Sequence, residues 1–217
     1  MKNALTTVML LSTFSVFAQP VGGVLNSTGH VACTGFTEPY YWGRLTDSRA
    51  EAMGMTVAAT SENINTSYYN PAGLGTLESI QASGTFSNLI FPYENSSFLY
   101  TAIGGKINDY IKVQFSRFSY RNKHGGFGVD AVGNVFEVKP RVNTYTLGVA
   151  SEPIKNWFFG LNAKITEIGF QKDESAGTLI ADVGMIKRFE LAKNEGHHTV
   201  DLGLSMMNFT ANDLNYK

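Results

Sequence analysis

The sequence predicts an all-β protein, an antiparallel transmembrane β-barrel with a short helical plug segment near its N-terminus. Two observations carry this prediction. Segments of about ten residues alternate between large apolar and small or polar side chains, which is typical of strands that face lipid on one side. The short apolar run at residues 8–17 is typical of a secretory signal peptide, and no later run approaches the roughly eighteen apolar residues of a transmembrane helix. An exported chain without such a helix can enter a membrane only as a closed barrel, which pairs every backbone group.

The alternation is clearest over residues 157–166. A strand places successive side chains on opposite faces, so Trp157 and Leu161 share an apolar face while Asn162 and Lys164 share a polar one. The same pattern and the intervening turn residues predict seven strands, near residues 78–90, 96–108, 110–120, 142–151, 156–171, 177–191 and 198–209.

The connections and the charged residues of these strands give further expectations. The short turn at Asn108 belongs on one rim, and the longer connection Arg121–Arg141 belongs on the other. Lys164, Asp182 and Asp201 fall on the polar faces and are predicted to face the lumen, where charges pair or are solvated. Lys187 interrupts an apolar face near a strand end, where a long side chain reaches water at a cost of roughly 0–1 kcal/mol.

Composition narrows the class of protein. Charged residues make up 16% of the chain, below the roughly 25% of soluble domains, and the net charge of -1 indicates no nucleic-acid partner. The single cysteine, Cys33, excludes an intramolecular disulfide.

No catalytic set, metal site or cofactor motif stands out. His197 and His198 are adjacent and lack a third spaced ligand, and Gly125–Gly128 lacks the lysine of a phosphate loop. The sequence therefore predicts a protein that is not an enzyme and binds no cofactor.

The N-terminal part divides into a signal peptide at residues 1–18, an extended lead-in at 19–46 and a segment with short helices at 47–77, before barrel strands at 78–217. Asp47 or Ser48 can cap a first short helix, which Gly54 can end, and residues 55–60 are strand-like. Asn70 is predicted to cap a second helix with Pro71 at its first position.

Two motifs resemble a known family. Asp47-Ser-Arg-Ala-Glu-Ala-Met-Gly54 and Ser67-Tyr-Tyr-Asn-Pro-Ala-Gly-Leu74 resemble the opening of the PorV/PorQ family and, more distantly, of the FadL-type outer-membrane transporters. The resemblance implies a barrel of about fourteen strands whose N-terminal segment folds inward as a plug or hatch. Too few strands are present here to close such a barrel, so we expect an N-terminal portion of a longer, incomplete barrel. The resemblance places in the hatch Ser48, Arg49, Ala50, Met53, Gly54, Asn70, Pro71, Ala72, Gly73 and Leu74.

The resemblance also implies a location and a role. The location is the outer membrane of a Gram-negative cell, in contact with its lipid. The role is type IX secretion, in which the barrel receives exported cargo by its signal domain and delivers it to the surface with other secretion components. The alternative is a FadL-like channel for hydrophobic compounds such as long-chain fatty acids, and a third hypothesis is a secreted β-sandwich.

Overall fold

The computed structural model describes residues 47–53, 57–59, 62–89, 96–122, 126–129, 135–139, 141–169, 175–193 and 196–210. Over these ranges the chain is mostly antiparallel β, with one seven-stranded sheet that curls into half of a barrel, and has few helices. The predicted antiparallel β class is confirmed. The expected signal peptide and lead-in lie outside the described residues, as do Cys33, Gly54 and the last residues, 211–217.

The seven strands of the main sheet lie where the alternation predicts them. An additional two-stranded hairpin, missed by the sequence analysis, lies within the long connection between the third and fourth strands of that sheet. The strands are β1 (Gln81–Leu89), β2 (Ser96–Lys106), β3 (Ile111–Asn122), β4 (Gly126–Val129), β5 (Val135–Val138), β6 (Arg141–Ile154), β7 (Trp157–Gly169), β8 (Ser175–Lys193) and β9 (Gly196–Thr210).

Every pairing in the main sheet is antiparallel, in the order β1-β2-β3-β6-β7-β8-β9, while β4 and β5 pair with each other. The connections after β2, β6 and β8 therefore fall on one rim, which we call the near rim. Those after β1, β3 and β7 fall on the other, which we call the far rim. The short turn at Asn108 and the long connection after β3 lie on opposite rims, as predicted. Within the described residues, β1 and β9 are the two edges of the sheet.

In the described ranges, three short helices precede the sheet. The α-helix α1 (Ser48–Ala52) is capped by Asp47, whose Oδ1 accepts a 2.9 Å hydrogen bond from the Arg49 amide. Two 3-10 helices follow, at Ile64–Tyr68 and Pro71–Thr76. Asn70 caps the last of them and Pro71 occupies its first position, which confirms that prediction.

The expected strand at residues 55–60 is not formed in the part that the structure describes. Ala58 and Ala59 lie in a turn. The Ala58 carbonyl accepts a 2.5 Å hydrogen bond from the Asn70 side-chain amide, so a side chain holds this backbone in place of a neighbouring strand.

The two faces of the main sheet are opposite in polarity to those of a soluble domain. One face, which we call the outer face, exposes large apolar side chains, and Leu161 and Leu204 are each 60% exposed. The other, the inner face, holds buried polar groups, with Lys164 only 4% and Asp182 0% exposed. Residues 62–77, which we call the inner segment, pack against this inner face and bury it.

Candidate functional site

The inner segment lies closest to β6, β7 and β8, and small residues on those strands allow it to do so. A Cβ atom added at Gly160 would overlap the Pro71 carbonyl, and one added at Gly184 would overlap the side chain of Asn70. Because Gly160 and Gly184 are directly opposite each other on β7 and β8, they form one shallow site for the start of the Pro71–Thr76 helix.

The Asn70 side chain caps this helix and also hydrogen-bonds the helix to the sheet. Its Oδ1 accepts a 3.0 Å hydrogen bond from the Ala72 amide, which is the capping interaction. Its Nδ2 donates to the carbonyl of Ala58 and, at 3.4 Å, to that of Met185 on β8. One fully buried side chain therefore joins the helix, the preceding turn and the barrel-like sheet.

A buried ion pair lies beside the inner segment. Lys164 Nζ on β7 is 2.6 Å from Asp182 Oδ2 on β8. Asp182 also accepts hydrogen bonds from Asn162 Nδ2 (3.1 Å) and from the Asn208 amide (2.9 Å). These donors replace the hydrogen bonds that the carboxylate would make to water. A buried charge needs such replacement because its desolvation is otherwise costly.

An irregularity in the backbone of β9 places one of its amides beside this ion pair. Asn208 has φ 62, in the left-handed region, and the register of β8 and β9 shifts between Ala181 and Val183. This irregularity turns the Asn208 amide towards Asp182, so local backbone strain supplies one of the donors.

The polar cluster also binds the inner segment. Asn162 Nδ2 donates to the Ser67 carbonyl at 2.9 Å, and the Ser67 hydroxyl donates to Gln114 Oε1 on β3. Lys164 Nζ lies 5.4 Å from the ring centre of Tyr68, within range of a cation–π interaction. Burial raises the pKa of the Tyr68 phenol well above its ordinary value, so the ring faces Lys164 in its neutral form.

The inner face of β2, together with the end of β3, is aromatic, which the sequence analysis missed. Phe98, Tyr100 and Phe118 are buried there beneath Tyr68 of the inner segment. Phe98 and Phe118 pack edge to face with centroids 4.7 Å apart. The expected alternation between large apolar and small or polar side chains therefore does not hold along β2 or at the end of β3. In β2 both faces carry apolar side chains, so its alternation gives no clear signal.

A small cavity lies where the aromatic and polar parts of the inner face meet. It holds about 20 Å³, enough for about one water molecule. Its lining combines apolar side chains with the Lys164 ammonium and two hydroxyls, those of Thr144 and Thr166, which lie 2.9 Å apart.

The outer face has aromatic and cationic residues at the near end of its apolar surface. Trp157 and Phe159 stack with centroids 6.3 Å apart, and Lys187 Nζ lies 4.9 Å from the Trp157 ring centre. The lysine that interrupts the apolar face thus rests on an aromatic side chain at the end of β7.

The structure places the residues of the two predicted sites as follows. Ser48 and Arg49 are exposed, Met53 is half-buried and Ala50 is buried, whereas Gly54 lies outside the described residues. Asn70, Pro71, Ala72, Gly73 and Leu74 are all buried in the inner segment.

The three predicted lumen charges all lie on the inner face, but not together. Lys164 and Asp182 form the buried pair. Asp201 is half-buried nearer the near rim, where Arg188 donates to its two oxygens at 3.0 and 2.9 Å. Asn162, Ser67 and Gln114 complete the cluster and were not predicted. The only local signal for them is that Asn162 and Gln114 share the polar phase of their strands.

Among the described residues, no cluster of three or more histidine, cysteine or acidic side chains is arranged to hold a metal ion. No helix in the described ranges has the length and apolar character needed to cross a membrane.

Comparison with known proteins adds no family to this description. No protein-family model matches the chain, and no curated protein matches it.

Proposed function

We propose that this chain forms part of the wall, together with the inner plug, of an outer-membrane β-barrel. The observation that carries the proposal is the reversed polarity of the sheet. Large apolar side chains such as Leu161 are exposed, while the charged Lys164 and Asp182 are buried. Soluble monomers rarely expose large apolar patches and rarely bury charges, and contact with lipid on the outer face accounts for both.

The dimensions of the apolar surface support lipid contact. On β7 it extends over the nine residues from Trp157 to Ile165, at the lower end of the roughly 9–11 residues that a strand tilted by about 45° needs to cross a membrane. Transmembrane barrels have an apolar band about 25 Å tall between aromatic girdles. Trp157 with Lys187 at one end and Tyr145 at the other are the residue types expected at such boundaries.

Within this class, we favour the role implied by the resemblance to PorV/PorQ proteins, which is type IX secretion. The barrel would bind exported cargo through its signal domain and pass it to the surface-attachment machinery. The inner segment packs against the inner face of the described strands and covers it, which supports a binding role over passage of a solute.

One observation favours the alternative, uptake of hydrophobic compounds. Phe98, Tyr100 and Phe118 form an apolar inner surface that the inner segment covers. Movement of that segment would uncover a site suited to an acyl chain. This alternative therefore requires a mobile inner segment, whereas the secretion role does not.

The β-sandwich hypothesis requires a second sheet over the outer face. In the described ranges the only strands outside the main sheet are β4 and β5, and they are four residues each. A sandwich would also place the buried ion pair on the side away from its core. Recovery of the chain in the soluble periplasmic fraction would favour this hypothesis and contradict the barrel.

The experiment that tests the role compares a gene-deletion strain with the same strain carrying the wild-type gene. Surface-attached proteins are quantified by mass spectrometry, and growth is measured on long-chain fatty acids as sole carbon source. Loss of cargo from the surface with normal growth supports secretion. Intact surface proteins with failed growth support uptake, and no change in either measurement contradicts both roles.

A further inference from the structure

Two turns at the near rim carry large apolar side chains that are exposed. In the turn between β2 and β3, Ile107 is 65% and Tyr110 is 70% exposed. Ile154, the last residue of β6 before the next near-rim turn, is 63% exposed. We call Ile107, Tyr110 and Ile154 the apolar turn residues. Turns that project into water usually carry small and polar residues, so this exposure is unusual.

The apolar turn residues continue the apolar surface of the outer face. The Ile107 amide donates a 3.0 Å hydrogen bond to the Ile111 carbonyl, which places Ile107 beside the first residue of β3. Ile154 is directly opposite Trp157, the first residue of β7. Because cross-strand partners share a face of the sheet, the exposed apolar surface extends as far as both turns.

The apolar surface ends differently towards the far rim. On β7 its last large apolar residue is Ile165, and the exposed Glu167 follows on the same face before the strand ends at Gly169. On β3 the last large apolar residue of the outer face is Phe115, although the strand continues to Asn122. The apolar surface is therefore displaced towards the near rim, and the far-rim ends of these two strands are polar on the outside.

Side chains within the two turns pair several of their backbone amides. Asn108 Oδ1 accepts hydrogen bonds of 2.9 and 2.8 Å from the amides of Tyr110 and Ile111. Glu152 Oε1 accepts one of 2.6 Å from the Asn156 amide. An unpaired amide is costly where water is scarce, so turns with this internal pairing are suited to a layer that borders hydrocarbon.

The two turns also share a composition that fits the boundary between acyl chains and headgroups. Each combines an isoleucine, an aromatic residue and a lysine, which are Lys106, Ile107 and Tyr110 in one turn and Ile154, Lys155 and Trp157 in the other. Tyrosine and tryptophan are enriched at this boundary. Lysine stems lie along apolar surface there while their ammonium groups reach water.

The recurrence of exposed apolar residues along the near rim indicates a bilayer rather than a protein partner. Ile80, immediately before β1, is 78% exposed and adds a third position to the two turns. A bilayer surrounds a barrel and meets all of its strands at one depth, whereas a protein partner covers one side of it.

We propose that the turns after β2 and β6 insert into the interfacial layer of the leaflet on the near-rim side. The apolar turn residues lie among the outer parts of the acyl chains, and Lys106 and Lys155 reach the headgroups. The far-rim ends of β3 and β7 then project into water on the opposite side of the membrane. This inference rests on the proposed barrel and adds the depth at which the barrel sits.

The test uses the full chain in phosphatidylcholine nanodiscs, in which both membrane surfaces are accessible. Cys33→Ser removes the only cysteine, and Ile107→Cys or Ile154→Cys then carries the fluorophore NBD at a turn. Leu161→Cys places the same label in the middle of the apolar surface, and Glu167→Cys, the matched control, places it at the far-rim end of β7. The four native side chains at the labelled positions are exposed, so the labels do not displace core packing.

The rate at which the anion dithionite reduces each label is measured. We expect the labels of Ile107→Cys and Ile154→Cys to react on the order of tenfold more slowly than that of Glu167→Cys, because anions are excluded from apolar layers. The label of Leu161→Cys should also react slowly. Lipids that carry a nitroxide near the headgroup should quench the two turn labels more strongly than the deeper label of Leu161→Cys.

Reaction of the turn labels as fast as that of Glu167→Cys, with Leu161→Cys still protected, would overturn the proposal and leave the barrel intact. Slow reaction of the turn labels without quenching by the lipid nitroxide would mean that protein covers them, which also overturns it. Equally slow reaction of Glu167→Cys would contradict the displacement towards the near rim. Fast reaction of Leu161→Cys would contradict the barrel itself.

Discussion

At the scale of single residues, the buried pair of Lys164 and Asp182 sets the strongest constraint. Removing two charges from water is costly, and Asp182 offsets that cost with the ammonium, with Asn162 and with the Asn208 amide. Because these groups come from three different strands, the pair also fixes how those strands are positioned relative to one another.

Lys164→Met removes the cation and leaves Asp182 buried among neutral donors. We expect the free energy of unfolding to fall by about 3–5 kcal/mol, the usual cost of leaving one buried charge unpaired. It is measured by denaturant unfolding in detergent micelles. Lys164→Met/Asp182→Leu should be less damaging than Lys164→Met, because no uncompensated charge remains. A double variant that is equally or more unstable would contradict this reasoning.

Gly160→Ala tests the close contact between β7 and the inner segment. The new methyl group would overlap the Pro71 carbonyl, so the helix must shift, and we expect a loss of about 1–3 kcal/mol in unfolding free energy. Gly84→Ala is the control, because a Cβ there meets no atom within 4 Å. Equal effects of the two substitutions would show that space at Gly160 is not limiting.

The turn between β2 and β3 gives a pH-dependent prediction. The hydrogen bond and the charge of Lys106 hold the pKa of the exposed Asp109 carboxyl below its ordinary value. The contribution of this ion pair to stability is therefore present above the pKa that Asp109 has in the unfolded chain. It is lost as the pH falls through the lower pKa of the folded state. Lys106→Gln should raise the pKa of Asp109, as followed by NMR titration, and an unchanged pKa would contradict the assigned cause.

At the scale of elements, the inner segment is hydrogen-bonded to strands of the main sheet. Ile64 and Glu62 are bound at their backbones by the Gln81 side chain of β1, while Asn70 reaches β8. The segment therefore joins β1, at one edge of the sheet, to β8, which is next to the other edge. An uptake function would have to break these bonds, whereas a binding function would not.

Substitution of Asn70 separates its two tasks. Asn70→Ala should lower the unfolding free energy by about 1–2 kcal/mol through the lost cap alone, and further through the lost bonds to Ala58 and Met185. Asn70→Asp keeps an acceptor for the Ala72 amide but removes the donor. Hydrogen exchange at Gly73 and Leu77, whose amides bond within the helix, should accelerate most in Asn70→Ala. Equal acceleration in both variants would mean that the cap contributes little.

At the scale of the whole molecule, the exposed apolar surface determines the environment that the protein requires. Its large side chains recur across the main sheet, from Phe86 on β1 to Leu204 on β9. An exposed apolar surface of this size is expected to be covered by an apolar medium or by another chain. The most direct test of lipid contact is therefore to introduce a charged side chain into this surface.

Leu161→Arg places a charge in the middle of this surface. If lipid covers it, the substitution should cost about 2–4 kcal/mol and reduce the amount of protein in the outer-membrane fraction. Glu167→Arg is the matched control, because it introduces the same side chain on the same face of β7, outside the apolar part. If both variants reach the membrane fraction equally, the outer face does not contact the bilayer core.

The sequence by itself determined the seven strands of the main sheet, the two faces of β7 and β8, and the Asn70 cap, because side-chain alternation and capping are local properties of the chain. It predicted that Lys164 and Asp182 share the polar phase of their strands, but it could not predict their contact. That contact depends on the register between β7 and β8 and on the irregularity at Asn208.

Only the tertiary structure decided which distant residues meet. Asn70 and Met185 are 115 residues apart, and no local pattern relates them. The sequence also did not show that Phe118 and Tyr120 lie on the inner face. From Arg117 onwards the outer face of β3 is polar, so along this strand the apolar side chains change from the outer to the inner face. Side-chain alternation shows only that the two faces of a strand differ in polarity. Which face is buried, and whether the other meets water or lipid, depends on the position of that strand in the folded sheet.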